Sequence, residues 1–172
     1  FRRWFQQNGR GRLLSAIFRQ QSWFLQHRGI ESKRLKTDSQ KGLCMAVKVG
    51  FIGTGGISQA HRRHLKKMED VEVVAMCDLV EEKVQEAAEE WGARVFTDYP
   101  TMLNEVEMDA VYVCIPPFAH ENQEILAAEK GIALFVEKPV AVTMEKAREV
   151  NAAIQENGVI SCAGFQGRYL DV

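Results

Sequence analysis

The sequence predicts an α/β fold, a Rossmann-type doubly wound parallel sheet, and three observations support this. An apolar, strand-like run leads into a glycine turn between Val47 and Ser58. Strand-like and helix-like segments then alternate to the end of the chain. Three of the helix-like segments end on a glycine, at Gly92, Gly131 and Gly158, and a strand-like run follows each within two residues. This repetition is typical of βαβ units with helices on both faces of the sheet.

The glycine turn predicts a dinucleotide site. Residues 47–58 read V-K-V-G-F-I-G-T-G-G-I-S, which matches G-x-G-x-x-G/A with a small residue in last place. Gly53 permits the tight turn, Gly55 has no Cβ to block a pyrophosphate, and the small Ser58 lets the next helix pack close to the sheet. The unpaired amides and the positive dipole end of that helix would hold phosphates. The predicted cofactor residues here are Gly53, Gly55, Gly56, Ile57 and Ser58.

A second apolar run, residues 71–77, ends at Asp78, which lies 25 residues after Gly53. A carboxylate at the end of the second strand is expected to bind the adenosine ribose hydroxyls, and it favours NAD over NADP because it repels a 2′-phosphate. The alternative is that Asp78 caps the next helix, with Glu81 as its capping partner. The two roles are compatible.

The alternation predicts strands near residues 47–52, 72–77, 94–96, 110–115, 132–136 and 159–163. Two of the helical segments between them have an apolar face. The predicted faces are Val84, Ala87, Ala88 and Trp91 in one helix, and Met144, Ala147, Val150, Asn151 and Ile154 in the other.

Length and composition favour one folded domain with attachments, because 172 residues of which 46% are apolar are enough for one core. The four cysteines have no C-x-x-C spacing, so they indicate neither disulfides nor a metal site. His61 and His64 share a helical face, but no further ligand accompanies them. No apolar run approaches the roughly 18 residues of a membrane span. These features predict a cytoplasmic protein without a membrane segment.

The first 44 residues differ from the rest of the chain. They contain ten Lys or Arg against Glu31 and Asp38, whereas the remainder has 12 basic and 21 acidic residues. Three interpretations are open: sequence upstream of a true start at Met45, an organellar targeting segment, or a basic arm for nucleic acid or anionic lipid. We favour the first, and so expect no nucleic-acid partner. The predicted domains are a basic extension outside the fold at 1–44, a dinucleotide-binding domain at 45–163, and the start of a substrate domain at 164–172.

Three further motifs carry a family resemblance. They are I-P-P-F-A-H at 115–120, E-K-P at 137–139 and G-F-Q-G-R-Y at 164–169. With the glycine turn and Asp78, their order and spacing resemble the Gfo/Idh/MocA family (glucose-fructose oxidoreductase, inositol dehydrogenase and rhizopine catabolism) over residues 45–172. The resemblance implies a Rossmann domain that binds NAD or NADP, and a second domain that binds sugars or polyols.

The resemblance also implies roles for individual residues. Lys138 would stand near the nicotinamide and the reacting hydroxyl, where an ammonium stabilises a developing alkoxide or relays a proton. The Lys138–Pro139 bond is expected to be cis. Pro116 and Pro117 would stiffen the turn against the nicotinamide half. The remaining predicted cofactor contacts are His120, Glu137 and Arg168. For Glu137, orienting Lys138 and binding the nicotinamide ribose are both open, and His120 is expected to cap or pack the following helix rather than to act in catalysis.

The expected function is therefore that of the NAD-binding half of an oxidoreductase that transfers a hydride between nicotinamide and a secondary alcohol of a sugar or polyol. The resemblance implies that the acid and base residues lie beyond Val172, so the 172-residue chain is expected to bind NAD without turnover. A possible homo-oligomer is expected to form through the second domain. The alternatives are an NAD-responsive regulator or binding protein on the same fold, and redox-assisted glycoside cleavage.

Overall fold

The computed structural model describes residues 46–165. The basic extension at 1–44 and the predicted contact Arg168 lie outside the described residues, as does most of the predicted start of the substrate domain.

Six strands and five helices alternate along the described chain, with one 3-10 turn. The strands are β1 Val47–Ile52, β2 Val71–Cys77, β3 Arg94–Phe96, β4 Ala110–Val113, β5 Ala133–Val136 and β6 Ser161–Ala163. The helices are α1 Gly56–Leu65, α2 Glu81–Glu89, α3 Tyr99–Glu105, α4 Gln123–Glu129 and α5 Met144–Glu156, and the 3-10 turn is Pro117–Ala119. All six predicted strands are present, and their ends differ from the predicted ones by at most two residues.

The strands form one parallel sheet in the order β3-β2-β1-β4-β5-β6. The order reverses between β1 and β4, so the connections on the two sides of that point run in opposite directions. In open parallel sheets, a crevice forms beyond the carboxyl ends of the strands at this point of reversal. The predicted Rossmann-type fold is confirmed.

Each face of the sheet carries an apolar cluster. The face under α1 and α2 holds a cross-strand aromatic stack, in which Tyr112 on β4 lies between Phe51 on β1 and Phe135 on β5. The ring centroids are 4.9 Å apart for Phe51 and Tyr112 and 4.7 Å apart for Tyr112 and Phe135. All three side chains are buried, so these rings make the centre of the sheet a rigid base for the loops at its carboxyl end.

The predicted glycine stops are confirmed. Gly92, Gly131 and Gly158 have φ of 61°, 72° and 60°, the left-handed conformation that ends a helix. One predicted helix face is partly wrong. In α5 the buried side chains are Val150 and Ala153, whereas Met144 and Asn151 are exposed, because the helix packs mainly against α4 and buries a narrower stripe than its apolar residues suggest.

Candidate cofactor site

The glycine turn lies at the carboxyl end of β1 and begins α1. Gly53 has φ of 90°, and a Cβ there would lie 2.4 Å from the carbonyl oxygen of Cys114, so this position requires glycine. Gly55, the N-cap of α1, has an ordinary φ of −65°. A Cβ at Gly55 or at Gly56 would meet no atom within 4 Å. The two glycines therefore border open space, whereas Gly53 is constrained by the protein itself.

Asp78 follows β2 and is hydrogen-bonded to the glycine turn. Its Oδ2 accepts from the Thr54 backbone N–H at 2.8 Å and from the Thr54 hydroxyl at 2.9 Å. Its Oδ1 accepts from the Val80 N–H at 3.1 Å. Val80, not Asp78, occupies the N-cap position of α2, so the alternative that Asp78 is the helix cap is wrong. The hydrogen bonds of Asp78 connect the end of β2 to the turn after β1.

These hydrogen bonds also determine the charge state of Asp78. Partial burial raises the pKa of its carboxyl, but the hydrogen bonds from Thr54 and Val80 and the charge of Lys83 favour the ionised form, and the net pKa lies below its ordinary value. Asp78 is therefore a carboxylate at neutral pH, as binding to ribose hydroxyls requires.

Arg62 holds the same turn from the other side. It lies on α1, is 7% exposed, and donates from Nη2 to the Thr54 carbonyl oxygen at 3.4 Å. Its Nη1 donates to the Ala87 carbonyl oxygen at 3.2 Å and contacts Met76 Sδ at 3.3 Å. Desolvation by burial lowers the pKa of this guanidinium. Arg62 thus joins α1, β2 and α2 behind the glycine turn.

A cleft of about 520 Å³ opens beside the turn, between α1 and α2. It is lined by the glycine turn at one end and by four basic side chains, Arg62, Arg63, Lys66 and Lys83. Glu86 and Glu90 also line it, and Glu90 forms an ion pair with Lys66. The cleft therefore has more basic than acidic side chains, but Arg62, Arg63 and Lys66 lie in or just after the last turn of α1 rather than at its N-terminus.

The E-K-P motif follows β5, and its glutamate points into the protein. Glu137 is 4% exposed, and its Oε1 lies 2.6 Å from Nε2 of His61 on α1. Its Oε2 accepts from the Lys138 N–H at 3.2 Å. A Cβ at Gly164 would lie 2.9 Å from the Glu137 carboxylate, so the glycine leaves room for that group. This placement favours the interpretation that Glu137 orients Lys138 over the one in which it binds ribose.

Lys138 itself is exposed at the carboxyl end of β5, and it forms no ion pair within the described residues. The Lys138–Pro139 bond is cis, as predicted. The ammonium is thus available to a ligand at the edge of the sheet, while the backbone of Lys138 is held by Glu137.

The proline-rich turn follows β4 on the neighbouring strand. Pro116 is exposed and Pro117 half-buried, and both lie at the same edge of the sheet as Asp78 and Lys138. The side chain of His120 is only 2% exposed, and its Nδ1 lies 2.5 Å from Oε1 of Glu124 on α4. This placement favours the prediction that His120 packs the following helix.

Sequence reasoning missed several contacts of this site, namely those of Thr54, Arg62, His61, Glu124 and Gly164. One signal was present. On α1 the inward positions Ser58, His61 and Leu65 include two polar residues, and polar residues at buried positions of a helix require partners. The identity of those partners depends on tertiary contacts.

Neither a metal cluster nor a membrane-spanning helix occurs in the described part of the chain. Among residues 46–165 no three His, Cys, Asp or Glu side chains are placed to hold a metal ion. His64, the second histidine of α1, contacts the Ala60 carbonyl oxygen at 2.7 Å. No helix in the same range is both long and apolar enough to cross a bilayer.

The residues present fit a dinucleotide. The open space at Gly55 and Gly56, the uncapped start of α1, and an ionised Asp78 at the end of β2 meet the steric and electrostatic requirements of a pyrophosphate and an adenosine ribose.

Comparison with known proteins agrees with this geometry. Residues 47–165 match the model of an oxidoreductase family with an NAD-binding Rossmann fold, the Gfo/Idh/MocA family. The chain is 36% identical over 118 residues to 2,7-anhydro-N-acetylneuraminate hydratase of Mediterraneibacter gnavus, which covers 69% of this chain and 31% of that protein. It is 33% identical over 129 residues to inositol 2-dehydrogenase of Salmonella typhimurium, covering 73% and 38%.

Among solved structures, the WlbA dehydrogenase of Bordetella pertussis in complex with NADH and UDP-GlcNAcA superposes with a TM-score of 0.68 at 30% identity, covering 72% of this chain and 38% of that one. The chain therefore spans about a third of the length of the relatives it matches.

Proposed function

The chain belongs to the Gfo/Idh/MocA family of oxidoreductases with an NAD-binding Rossmann fold, and from that premise we propose that it is the NAD-binding part of a sugar or polyol dehydrogenase. The observation that carries the proposal is the glycine turn from Gly53 to Ser58 at the start of α1, joined to an ionised Asp78 by hydrogen bonds of 2.8 and 2.9 Å. When bound, the nicotinamide ring supplies the hydride acceptor or donor for the CH–OH group of the substrate.

Each protein group has a distinct part in this proposal. The amides at the start of α1 bind the pyrophosphate, and Asp78 accepts a hydrogen bond from a hydroxyl of the adenosine ribose. Pro116 and Pro117 form a wall at the adjacent strand end, since a proline has no N–H to satisfy there. This arrangement spans the edge of the sheet from β2 to β5.

Lys138 is the proposed catalytic residue of the described chain. Its exposed ammonium at the end of β5 stabilises negative charge that develops on the substrate oxygen when the hydroxyl proton leaves. Glu137, bound to His61 and to the Lys138 N–H, holds the lysine backbone in place. We propose Arg168 as a further cofactor contact, at the junction with the second domain.

The test is a calorimetric titration of the purified 172-residue chain with NAD and, separately, with ADP-ribose. Saturable binding of both at a 1:1 ratio supports the proposal, since the contacts to the adenosine half are local to residues 53–78. Absence of binding by a folded chain contradicts it. The catalytic part is tested in a protein that carries the second domain, where Lys138→Met should lower kcat by about 100-fold or more and change NAD affinity little.

A second candidate function is a reaction in which the substrate is oxidised transiently and then reduced again, so that NAD is recovered unchanged. The Mediterraneibacter gnavus relative is named a hydratase and not a dehydrogenase. Transient oxidation at one carbon acidifies its neighbour, so the same residues would serve elimination or hydration. Recovery of NAD unchanged after many turnovers, with no external oxidant, distinguishes this candidate from a dehydrogenase.

We also propose a cytoplasmic location, no nucleic-acid partner, and assembly of any homo-oligomer through a second domain. A preference for NAD over NADP is likewise proposed from the carboxylate at Asp78, which repels a 2′-phosphate.

A further inference from the structure

The carboxylate of Asp78 has limited capacity for a ligand. An ionised carboxylate has about four lone-pair positions, two on each oxygen. Oδ2 accepts two hydrogen bonds from Thr54, at 2.8 Å from the backbone N–H and at 2.9 Å from the hydroxyl. Oδ1 accepts one hydrogen bond from the Val80 N–H at 3.1 Å. One acceptor position therefore remains, and it is on Oδ1.

Thr54 is itself held in place. Thr54 is 9% exposed, and its carbonyl oxygen accepts a hydrogen bond from Nη2 of the buried Arg62. The Thr54 backbone is thus bound on both sides, to Asp78 through N–H and to Arg62 through the carbonyl. A carboxylate that receives two hydrogen bonds on one oxygen from a fixed residue cannot rotate about its Cβ–Cγ bond without losing them.

From this geometry we propose that Thr54 is a specificity-determining positioning residue: its hydroxyl fixes the Asp78 carboxylate so that Oδ1 alone accepts one ribose hydroxyl, and so that the carboxylate cannot turn away from a 2′-phosphate. The inference rests on the proposed binding of NAD. It replaces the simpler expectation that Asp78 accepts hydrogen bonds from both ribose hydroxyls with one bond, and it assigns part of the cofactor preference to a residue of the glycine turn.

The test compares Thr54→Val with Thr54→Ser in the 172-residue chain. Valine has the shape of threonine but lacks the hydroxyl, whereas serine retains it. Thr54→Val should bind NAD about tenfold more weakly, because the Asp78 carboxylate is then held only by the Thr54 and Val80 N–H groups and its hydrogen bond to the ribose, a bond to a charged group, is weakened. Its affinity for NADP should fall by less or rise, because a carboxylate without the Thr54 hydroxyl is held less firmly and can turn further from the 2′-phosphate. Thr54→Ser should restore both the affinity and the ratio.

A merely structural role gives a different result. If Thr54 only shapes the turn, NAD and NADP affinities fall equally, because both ligands share the pyrophosphate, and the proposal is overturned. Wild-type affinities in Thr54→Val, or a Thr54→Ser variant as weak as Thr54→Val, also overturn it.

The wild-type chain provides an independent measurement if Thr54→Val does not fold. With one free acceptor, NAD that lacks the 2′-hydroxyl of the adenosine ribose should bind about tenfold more weakly, and NAD that lacks the 3′-hydroxyl should bind as NAD does. Equal losses contradict a single acceptor. If the folded wild-type chain binds no NAD at all, the proposed function fails together with this inference, whereas the other contrary results remove only the role of Thr54.

Discussion

At the scale of single residues, the two glycines that begin the turn have different reasons to be glycine. Gly53 has a positive φ, and the chain after β4 passes close behind it. Gly55 has an ordinary backbone conformation and faces open space. The first glycine is required by the fold of the protein, and the second is required only if a ligand occupies that space.

This difference gives the first prediction. Gly53→Ala should destabilise the chain by about 3 kcal/mol, because its Cβ would lie 2.4 Å from the Cys114 carbonyl oxygen. Gly55→Ala should change stability by no more than about 1 kcal/mol, the usual difference between glycine and alanine at an N-cap, yet it should abolish NAD binding. Urea unfolding and NAD titration of both variants measure the two effects. If the Gly55→Ala variant keeps its NAD affinity, the pyrophosphate does not bind at this turn.

Cysteine reactivity is a second property set at single residues. Burial, with smaller contributions from the charges of Asp98 and Asp78, raises the pKa of the Cys77 thiol to about 12. Burial likewise raises the pKa of Cys114 well above its usual range. Both thiols are therefore protonated at neutral pH and inaccessible to reagents.

The expected outcome is that neither Cys77 nor Cys114 reacts with iodoacetamide at pH 8 while the chain is folded. Peptide mapping by mass spectrometry after a timed reaction distinguishes these two thiols from the other cysteines. The same chain in 8 M urea is the control, in which both should be alkylated. Alkylation of Cys114 in the folded chain would show that the centre of the sheet opens at its carboxyl edge.

At the scale of elements, one buried pair connects α1 to the end of β5. His61 and Glu137 are 76 positions apart in the chain, and their side chains meet at 2.6 Å with exposed fractions of 10% and 5%. The His61 ring also packs on the aromatic stack, with its centroid 4.9 Å from that of Phe135. The helix that would bind the pyrophosphate is thereby connected to the strand end that bears Lys138.

Removing one partner of this pair should be costly. His61→Leu leaves the Glu137 carboxylate buried without its partner, and we expect a loss of about 3 kcal/mol in the free energy of unfolding. In the double variant with Glu137→Met the loss should be smaller than the sum of the single losses, by about 1 to 3 kcal/mol.

His64→Leu is the matched control for this cycle. It lies on the same helix, and its Nδ1 contacts the Ala60 carbonyl oxygen one turn earlier. Chemical denaturation of the wild-type chain and of the four variants gives the free energy of unfolding of each. If His61→Leu costs no more than His64→Leu, the pair contributes no specific stability.

At the scale of the whole molecule, the part of the chain that the structure describes has an apolar cluster on each face of the sheet. The family match covers nearly the same range, residues 47–165. The predicted boundary at Met45 stays a prediction, and it lies two residues before the start of the family match.

A chain that begins at Met45 should therefore fold and bind NAD with the affinity of the 172-residue chain. The comparison uses thermal unfolding and NAD titration of the two purified chains at the same ionic strength, because the extension is basic and would attract anions nonspecifically. A shorter chain that aggregates, or one that binds NAD more weakly, would show that residues 1–44 contribute to the domain.

Much of the site was predictable from local pattern. The glycine turn, the strand-end acid and the E-K-P motif occupy the predicted ends of strands, because a strand that is buried on both faces leaves a run of apolar residues that stops where the chain reaches the edge of the sheet. The narrow buried stripe of α5 was not predictable, since the width of a helix contact depends on how closely the helix approaches its neighbours.

The sequence by itself determined the fold class, the order of the elements and the glycine turn, because these depend on the periodicity of neighbouring residues and on backbone conformations available only to glycine. Only the tertiary structure decided which distant groups meet. The pairing of Asp78 with Thr54 and that of Glu137 with His61 span 24 and 76 positions. Both contacts form because the strand order places β1 between β2 and β4 with β5 adjacent to β4, which brings the turn after β1 and the helix α1 within reach of the ends of β2 and β5. No local pattern specifies that order, since it results from the packing of all the helices and strands into one sheet.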